Sequence, residues 1–215
     1  MKKDFWMERW EKGEIRFHQN EINPYLCRHW QDLHPVQGST VFVPLCGKSQ
    51  DMLWLRNQGH VVLGVELSEI AVQAFYQESH FSPHKTSRDK FEHYAAEDIH
   101  ILLGDFFDLK KQDLTGVSTV YDRASLVALP TEMRVEYVRH LVNILPQGTQ
   151  ILLVTFDYPQ PEMSGPPFAV SAPEVEALYH DHADLCLLSQ HDILHQFRKP
   201  GLTRMQENIY LLTLR

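Results

Sequence analysis

The sequence predicts an α/β fold, a doubly wound and mostly parallel sheet of about seven strands with helices on both faces. Three observations lead there. Continuous apolar runs alternate with helix-like runs from Thr40 onward, and such runs suit parallel strands covered on both sides. The last two apolar runs are separated only by a turn around Lys199–Leu202, so the final pair of strands is expected to be antiparallel. The chain has 215 residues, within the range of one α/β domain; one domain is expected over 1–215, with a helical arm or lid at 1–38 and the sheet core at 39–215.

Taken in order, the arm holds "FWMERWEKGEIRF", in which Trp6 and Trp10 are spaced to share one helix face. "NPYLCRHWQDLH" then reads as a helix with Asn23 as cap and Pro24 in its first turn. In the core, "TVFVPL", "HVVLGVEL", "DIHILLGDFFDL", "VSTVYDRASL" and "TQILLVTF" read as five strands. Helices are predicted at "SQDMLWLRNQG", "SEIAVQAFYQESHF" and "TEMRVEYVRHLVNIL", the first closed by Gly59. Five prolines and a glycine between Pro159 and Pro173 exclude an interior strand or helix there and predict a long loop near the strand ends. A helix at "PEVEALYHDH" and strands at "DLCLLSQHDI" and "ENIYLLTL" complete the chain.

Composition excludes several classes of function. Hydrophobic residues make up 43% and charged residues 22%, an ordinary globular balance. The net charge of -8 and the absence of any sustained basic run give no footprint for nucleic acid. Thirteen histidines are scattered without HExxH or paired Cys/His spacing, so no metal is expected. Cys27, Cys46 and Cys186 are an odd, widely spaced set that points to a reducing compartment, hence the cytoplasm. No run approaches the length of a membrane span and the N-terminus lacks the apolar centre of a signal peptide. A monomer is expected.

"FVPLCGKSQDM", at Phe42–Met52, ends in the Gly47-Lys48-Ser49 tail of a phosphate loop. A phosphate cradle needs glycine where Phe42 stands, and Pro44 removes a further N–H. A dinucleotide fingerprint fails too, since only Gly47 is present. The acidic residue of that fingerprint survives: Glu66 ends the second strand, 21 residues after Leu45, where a carboxylate accepts from both ribose hydroxyls of an adenosine. The bland alternative, a helix-capping glutamate, is weaker because Ser68 is the more natural cap. Adenosine without pyrophosphate suggests S-adenosylmethionine, with Leu45 and Cys46 offering main-chain groups and Asp51 capping the next helix or contacting the cationic end. Cys46 has no local histidine to activate it and reads as packing. Asp105 and Phe106, ending the third strand, stand where class I methyltransferases hold adenine, by an acceptor for the amine and a ring on the base; Phe106 as a plain core aromatic is the alternative. Asp122 and Arg123 end the fourth strand, where a charge usually faces the ligand crevice, unless they form a structural ion pair.

Together "FVPLCGKSQDM", "GHVVLGVELSE", "DFFDL", "YDRASLVAL", "GPPF" and the aromatic N-terminal "FWMERWEKGEIRFHQ" closely resemble the thiopurine S-methyltransferase family, its bacterial members especially, from about Phe5 to the final strand. The resemblance implies a Rossmann-like class I methyltransferase fold, S-adenosyl-L-methionine as cofactor with S-adenosyl-L-homocysteine as product, and a small thiol or selenol substrate. It implies cofactor contacts from Trp10, Leu45, Glu66, Asp105, Phe106 and Arg123, and a substrate contact from Phe17. Asp105 departs from at least some animal members, which carry a small hydroxyl residue there. No general base is assigned; Arg123 is a candidate contact for the substrate anion. Bacterial relatives are also associated with selenium and tellurium methylation. The arm and the "GPPF" loop would close over the site. The rival readings are a nucleotide-binding protein using Gly47-Lys48-Ser49 on phosphate, and a binding module without turnover.

Overall fold

A computed structural model describes residues 3–15, 18–197 and 199–215. Its parallel centre consists of β1 (Thr40–Val43), β2 (Val61–Glu66), β5 (Ile99–Leu103), β6 (Val117–Arg123) and β7 (Gln150–Asp157). The closing strands β8 (Ala183–Asp192) and β9 (Gln206–Leu214) are antiparallel to each other, and β9 inserts beside β7. These are the seven strands the sequence predicts. The sheet nevertheless has nine, because a hairpin of β3 (His84–Arg88) and β4 (Phe91–Ala96) adds to the edge at β5, giving the order β3-β4-β5-β2-β1-β6-β7-β9-β8.

The hairpin escapes a reading based on apolar runs for a physical reason. His84–Arg88 contains no apolar side chain and is exposed along its whole length; it is held by backbone pairing on its one partnered side and by ion pairs such as Lys85–Glu92. Its two-residue turn places Asp89 at φ 49, the positive φ that hairpin turns demand, but without the Asn-Gly or Asp-Gly pair that advertises one. A second difference is at β1, which ends at Val43 rather than running to Leu45. Pro44 has no N–H for a ladder, and Leu45 at φ 45 turns the chain away.

Strand alternation builds two cores. Val41, Val43, Leu152 and Val154 face one side, where Leu26 and Trp30 from the N-terminal segment, Leu55 from α3 (Asp51–Asn57) and Val72 and Phe75 from α4 (Glu69–Glu78) cover them. Phe42, Ile151, Leu153 and Tyr210 face the other, under α5 (Thr131–Ile144) and α6 (Ala172–Tyr179). In α5 the buried positions Arg134, Tyr137, Val138, Leu141 and Ile144 follow the i, i+3, i+4, i+7 spacing of a single apolar face. The arm contributes α1 (Lys3–Glu11) and α2 (Pro24–His29). Asn23 caps α2, its Oδ1 accepting from the N–H groups of Tyr25 and Leu26. Among the described residues no helix is long and apolar enough to cross a membrane.

At Gly64, in the middle of β2, the side chain of Cys46 from the loop after β1 comes close. A Cβ there would lie 2.7 Å from Cys46 Sγ and 3.3 Å from Cys46 Cβ. Gly64→Ala should therefore destabilise the fold by about 1–3 kcal/mol, read as a lower urea midpoint with unchanged slope. Adding Cys46→Ala should recover most of the loss if the sulfur is the obstacle.

Candidate functional site

The carboxyl ends of β1, β2, β5 and β6 open into a cavity of about 1290 Å³, beyond the roughly 300–1,000 Å³ of a site for one small molecule. Its floor is the loop after β1 and its roof is α1, while Met163 and Gly165–Pro167 form the far wall. The crevice lies where strand order reverses, β2 to one side of β1 and β6 to the other, the place where open α/β sheets hold ligands.

Glu66 sits at the centre of the floor, 7% exposed. Its Oε2 accepts from the Gly47 N–H at 2.8 Å and its Oε1 from the Ser68 N–H at 2.8 Å. Burial raises its pKa, while the N–H groups of Ser68, Gly47 and Leu67 pull it back. Ser68 caps α4, its hydroxyl accepting from the Ala71 N–H, as expected, so the Glu66 side chain is not spent on that cap and lines the cavity. Leu45 and Gly47, both at positive φ, carry the loop across this carboxylate. Trp10 from α1 closes on the same loop: a Cβ on Gly47 would meet its indole at 3.4 Å.

At the end of β6 the two charges part company. Successive strand residues point to opposite faces, so Arg123 turns into the cavity and Asp122 turns into the core, 0% exposed. Asp122 accepts from the Tyr137 hydroxyl at 2.7 Å and the Leu126 N–H at 3.3 Å. The expectation that both charges face the crevice, or pair with each other, is thus corrected. Arg123 pairs instead with Asp51, Nε to Oδ2 at 2.8 Å. It also donates to Gln19 Oε1 and Ser49 Oγ. Asp51 is completely buried and so does not contact a cationic ligand, as the sequence reading allowed. Nor does its side chain cap α3, which starts with no side-chain cap bond.

Asp105 and Phe106 line the cavity beyond Glu66. Asp105 caps a short 3-10 turn by accepting from the Phe107 N–H at 3.0 Å, and its Oδ2 takes the Lys3 ammonium at 2.6 Å. Phe106 is 3% exposed and stacks on Tyr137, ring centroids 4.7 Å apart; it serves both readings, core aromatic and cavity wall. Phe107 is 37% exposed. Trp10, Leu45, Glu66, Asp105, Phe106 and Arg123 all reach one cavity. Phe17 lies outside the described residues. Lys3 and Tyr137 are contacts that sequence reasoning missed. Lys3 carries no signal, but Tyr137 stands in the buried stripe of α5.

The remaining members of the loop are engaged elsewhere. Lys48 pairs with Glu78 at 2.6 Å, and the Ser49 hydroxyl accepts from Asp51 N–H and Arg123. Burial, reinforced by Glu66, pushes the Cys46 thiol well above its ordinary range, which suits the packing reading. The "GPPF" wall is tied down: Tyr158 donates to Pro167 O at 2.7 Å, Gln160 to Met163 O at 2.6 Å, and the Phe168 N–H to Val127 O at 2.7 Å. Among the described residues, no group of three metal-ligating side chains comes together.

A family model described as Thiopurine S-methyltransferase matches residues 1–215. The thiopurine S-methyltransferase of Nitrosospira multiformis is 57% identical over 218 residues, spanning 100% of this chain and 99% of the relative. Among solved structures, a SAM-dependent methyltransferase from Anabaena variabilis superposes with a TM-score of 0.67 at 14% identity, covering 99% of this chain and 95% of that one. The Burkholderia thailandensis 1,6-didemethyltoxoflavin-N1-methyltransferase, crystallised with 1,6-didemethyltoxoflavin and S-adenosylhomocysteine, gives a TM-score of 0.63 at 14% identity, covering 99% and 86%. At such identities the likeness is one of fold, the Rossmann-like class I methyltransferase fold.

Burial pushes the Asp122 carboxyl up to about 6, against the hydrogen bonds of Tyr137, Leu126 and Ser125. The folded chain therefore holds this proton where the unfolded chain, at about 3.9, has lost it. Its contribution to stability is complete below pH ~4 and disappears as pH rises through about 6, a fall of roughly 3 kcal/mol. Asp122→Asn should flatten this limb: the difference in urea midpoint between variant and wild type should favour the variant increasingly from pH 4 to 6.5 and then level off.

Proposed function

The chain belongs to the thiopurine S-methyltransferase family, and on that premise we propose that it transfers a methyl group from S-adenosyl-L-methionine to the sulfur of aromatic and heterocyclic thiols. The observation that carries this reading is the buried Glu66 carboxylate at the crevice floor, anchored by two backbone N–H groups yet with acceptor capacity left toward the cavity. The donor set fits the cofactor: a ribose-seeking carboxylate, no phosphate cradle, and apolar and aromatic walls on either side. When bound, S-adenosylmethionine supplies a sulfonium methyl carbon open to in-line attack by a soft nucleophile.

The chain's residues then divide the work. Glu66 accepts from the ribose hydroxyls. Phe106 offers a ring edge or face to adenine, and Asp105 accepts from the adenine amine once it shares or gives up Lys3. Leu45 presents main-chain groups, and Trp10 closes the roof. Arg123 retains N–H donors beyond those spent on Asp51, Gln19 and Ser49; a guanidinium has five. Those remaining favour an anionic ligand group, the cofactor carboxylate or the substrate thiolate. Phe17 takes the flat substrate ring. An aromatic heterocyclic thiol is acidic enough to arrive largely ionised, so positioning and exclusion of water, with α1 and the "GPPF" wall around the cavity, replace a dedicated general base.

Selenolates share the softness this reaction selects, so selenium and tellurium species belong to the proposed substrate range, with detoxification as the consequence. The enzyme is read as a cytoplasmic monomer that engages neither nucleic acid nor membrane. The nucleotide-binding alternative loses ground, because Lys48 is paired with Glu78 and the Gly47 N–H is given to Glu66.

Glu66→Ala should weaken S-adenosylhomocysteine binding by at least about tenfold in calorimetry, the cost of removing two charged-acceptor contacts; unchanged affinity would remove the ribose assignment. Labelled S-adenosylmethionine, offered with a panel of aromatic thiols, selenite-derived species and tellurite, should give methylated thiol as the dominant product. ATP binding more tightly than S-adenosylhomocysteine would reverse the reading.

A further inference from the structure

Beneath the cavity floor lies a cluster in which one carboxylate serves three donors. Asp51 Oδ1 accepts from the Asn23 N–H at 2.8 Å, and Oδ2 accepts from the Tyr121 hydroxyl at 3.0 Å and from Arg123 Nε at 2.8 Å. Asp51 and Asn23 are 0% and 2% exposed, so no solvent competes. The four residues come from three parts of the chain: Asn23 caps α2, Tyr121 and Arg123 share one face of β6, and Asp51, the acceptor, opens α3. Arg123 alone of the four reaches the cavity.

We propose that Asp51 is a positioning residue that fixes the Arg123 guanidinium in the wall of the cavity and ties its orientation to the seat of α2. The inference rests on the methyl-donor reading of the site. Its physical basis is acceptor geometry. A carboxylate offers acceptors on both oxygens, whereas an amide offers them on one. Asp51→Asn can satisfy Asn23 or the Tyr121–Arg123 pair, not both, and the other side then faces donor against donor. Arg123 without its partner is also a buried charge left uncompensated, which will swing toward solvent or ligand. Asp51 touches no ligand itself; it acts through Arg123.

The test is a double-mutant cycle on the full chain, with S-adenosylhomocysteine affinity as readout. Asp51→Asn should weaken binding by about tenfold, Arg123→Ala by at least as much, and the double variant should match Arg123→Ala to within about twofold. Losses that multiply, or Asp51→Asn binding like wild type, overturn the proposal. Guanidinium chloride at low millimolar concentration should restore part of the affinity of Arg123→Ala, where the Asp51 seat is intact, and none of it in the double variant; equal rescue in both overturns the proposal. If Asp51→Asn fails to fold, Tyr121→Phe removes only one hydroxyl donor, and its smaller loss should likewise vanish in the Arg123→Ala background. Wild-type chain that does not bind S-adenosylhomocysteine overturns the methyl-donor reading and this inference with it, whereas binding with additive losses overturns this inference alone.

Discussion

One buried carboxylate holds the ligand side of this sheet together. Glu66 bonds the loop that follows β1 through Gly47 and the loop that follows β2 through Ser68. Two adjacent strands therefore end in loops cross-braced by a side chain, beside the backbone bond from Cys46 N–H to Val65 O. A charge so deeply buried is tolerable only because oriented N–H groups surround it. The same N–H groups are withdrawn from any phosphate. Anchoring the loop and choosing the class of ligand are thus one interaction seen from two sides, and a glycine-rich phosphate loop would have to dissolve the first to gain the second.

The two-residue period of the strands decides what each charge at the crevice does. On β6, Tyr121 and Arg123 project toward Asp51 and α3, while Asp122 projects toward Tyr137 and α5. A neighbouring pair in sequence is thereby split between two cores, one charge bridged to another and one charge kept company only by neutral donors. Glu207 on β9 is a fourth buried carboxyl, after Glu66, Asp51 and Asp122, raised to about 7 by burial while Arg123 pulls it down. Of these carboxyls, Asp51 and Glu207 answer to the Arg123 guanidinium, and Asp122 does not.

Much of this was legible in the sequence, for reasons that also explain the remainder. The five parallel strands and β9 announce themselves because they are largely buried, β8 by its short apolar run although it is mostly exposed, and α5 because its buried positions fall on one stripe. The placement of Glu66 at the end of β2, beside the crevice, was legible because spacing along a β-loop-α-β unit is fixed by strand and helix lengths. The β3–β4 hairpin was not, since its outer strand buries nothing and its turn lacks the usual glycine. The fate of Asp51 was hidden as well: that a carboxylate faces inward depends on Asn23 and Arg123, 28 and 72 residues away, and pairing over such distances leaves no local mark. The opposite facing of Asp122 and Arg123, by contrast, was already implied by alternation and was available to a stricter reading of the strand.

The hairpin has a consequence for how molecules of this chain meet one another. An open sheet carries two rims of unpaired backbone groups, each a template for another strand. Here one rim is β3, whose His84, Lys85, Thr86, Ser87 and Arg88 are all exposed, and the other is β8, whose pairing slips at Leu187–Ser189. A cationic, strongly hydrated rim and a bulged one are both poor templates for adding a strand. The segment that contributes nothing to the core and lies farthest from Arg123 along the sheet thus acts against edge-to-edge aggregation, leaving the apolar strands inboard of it sealed from their counterparts in other copies.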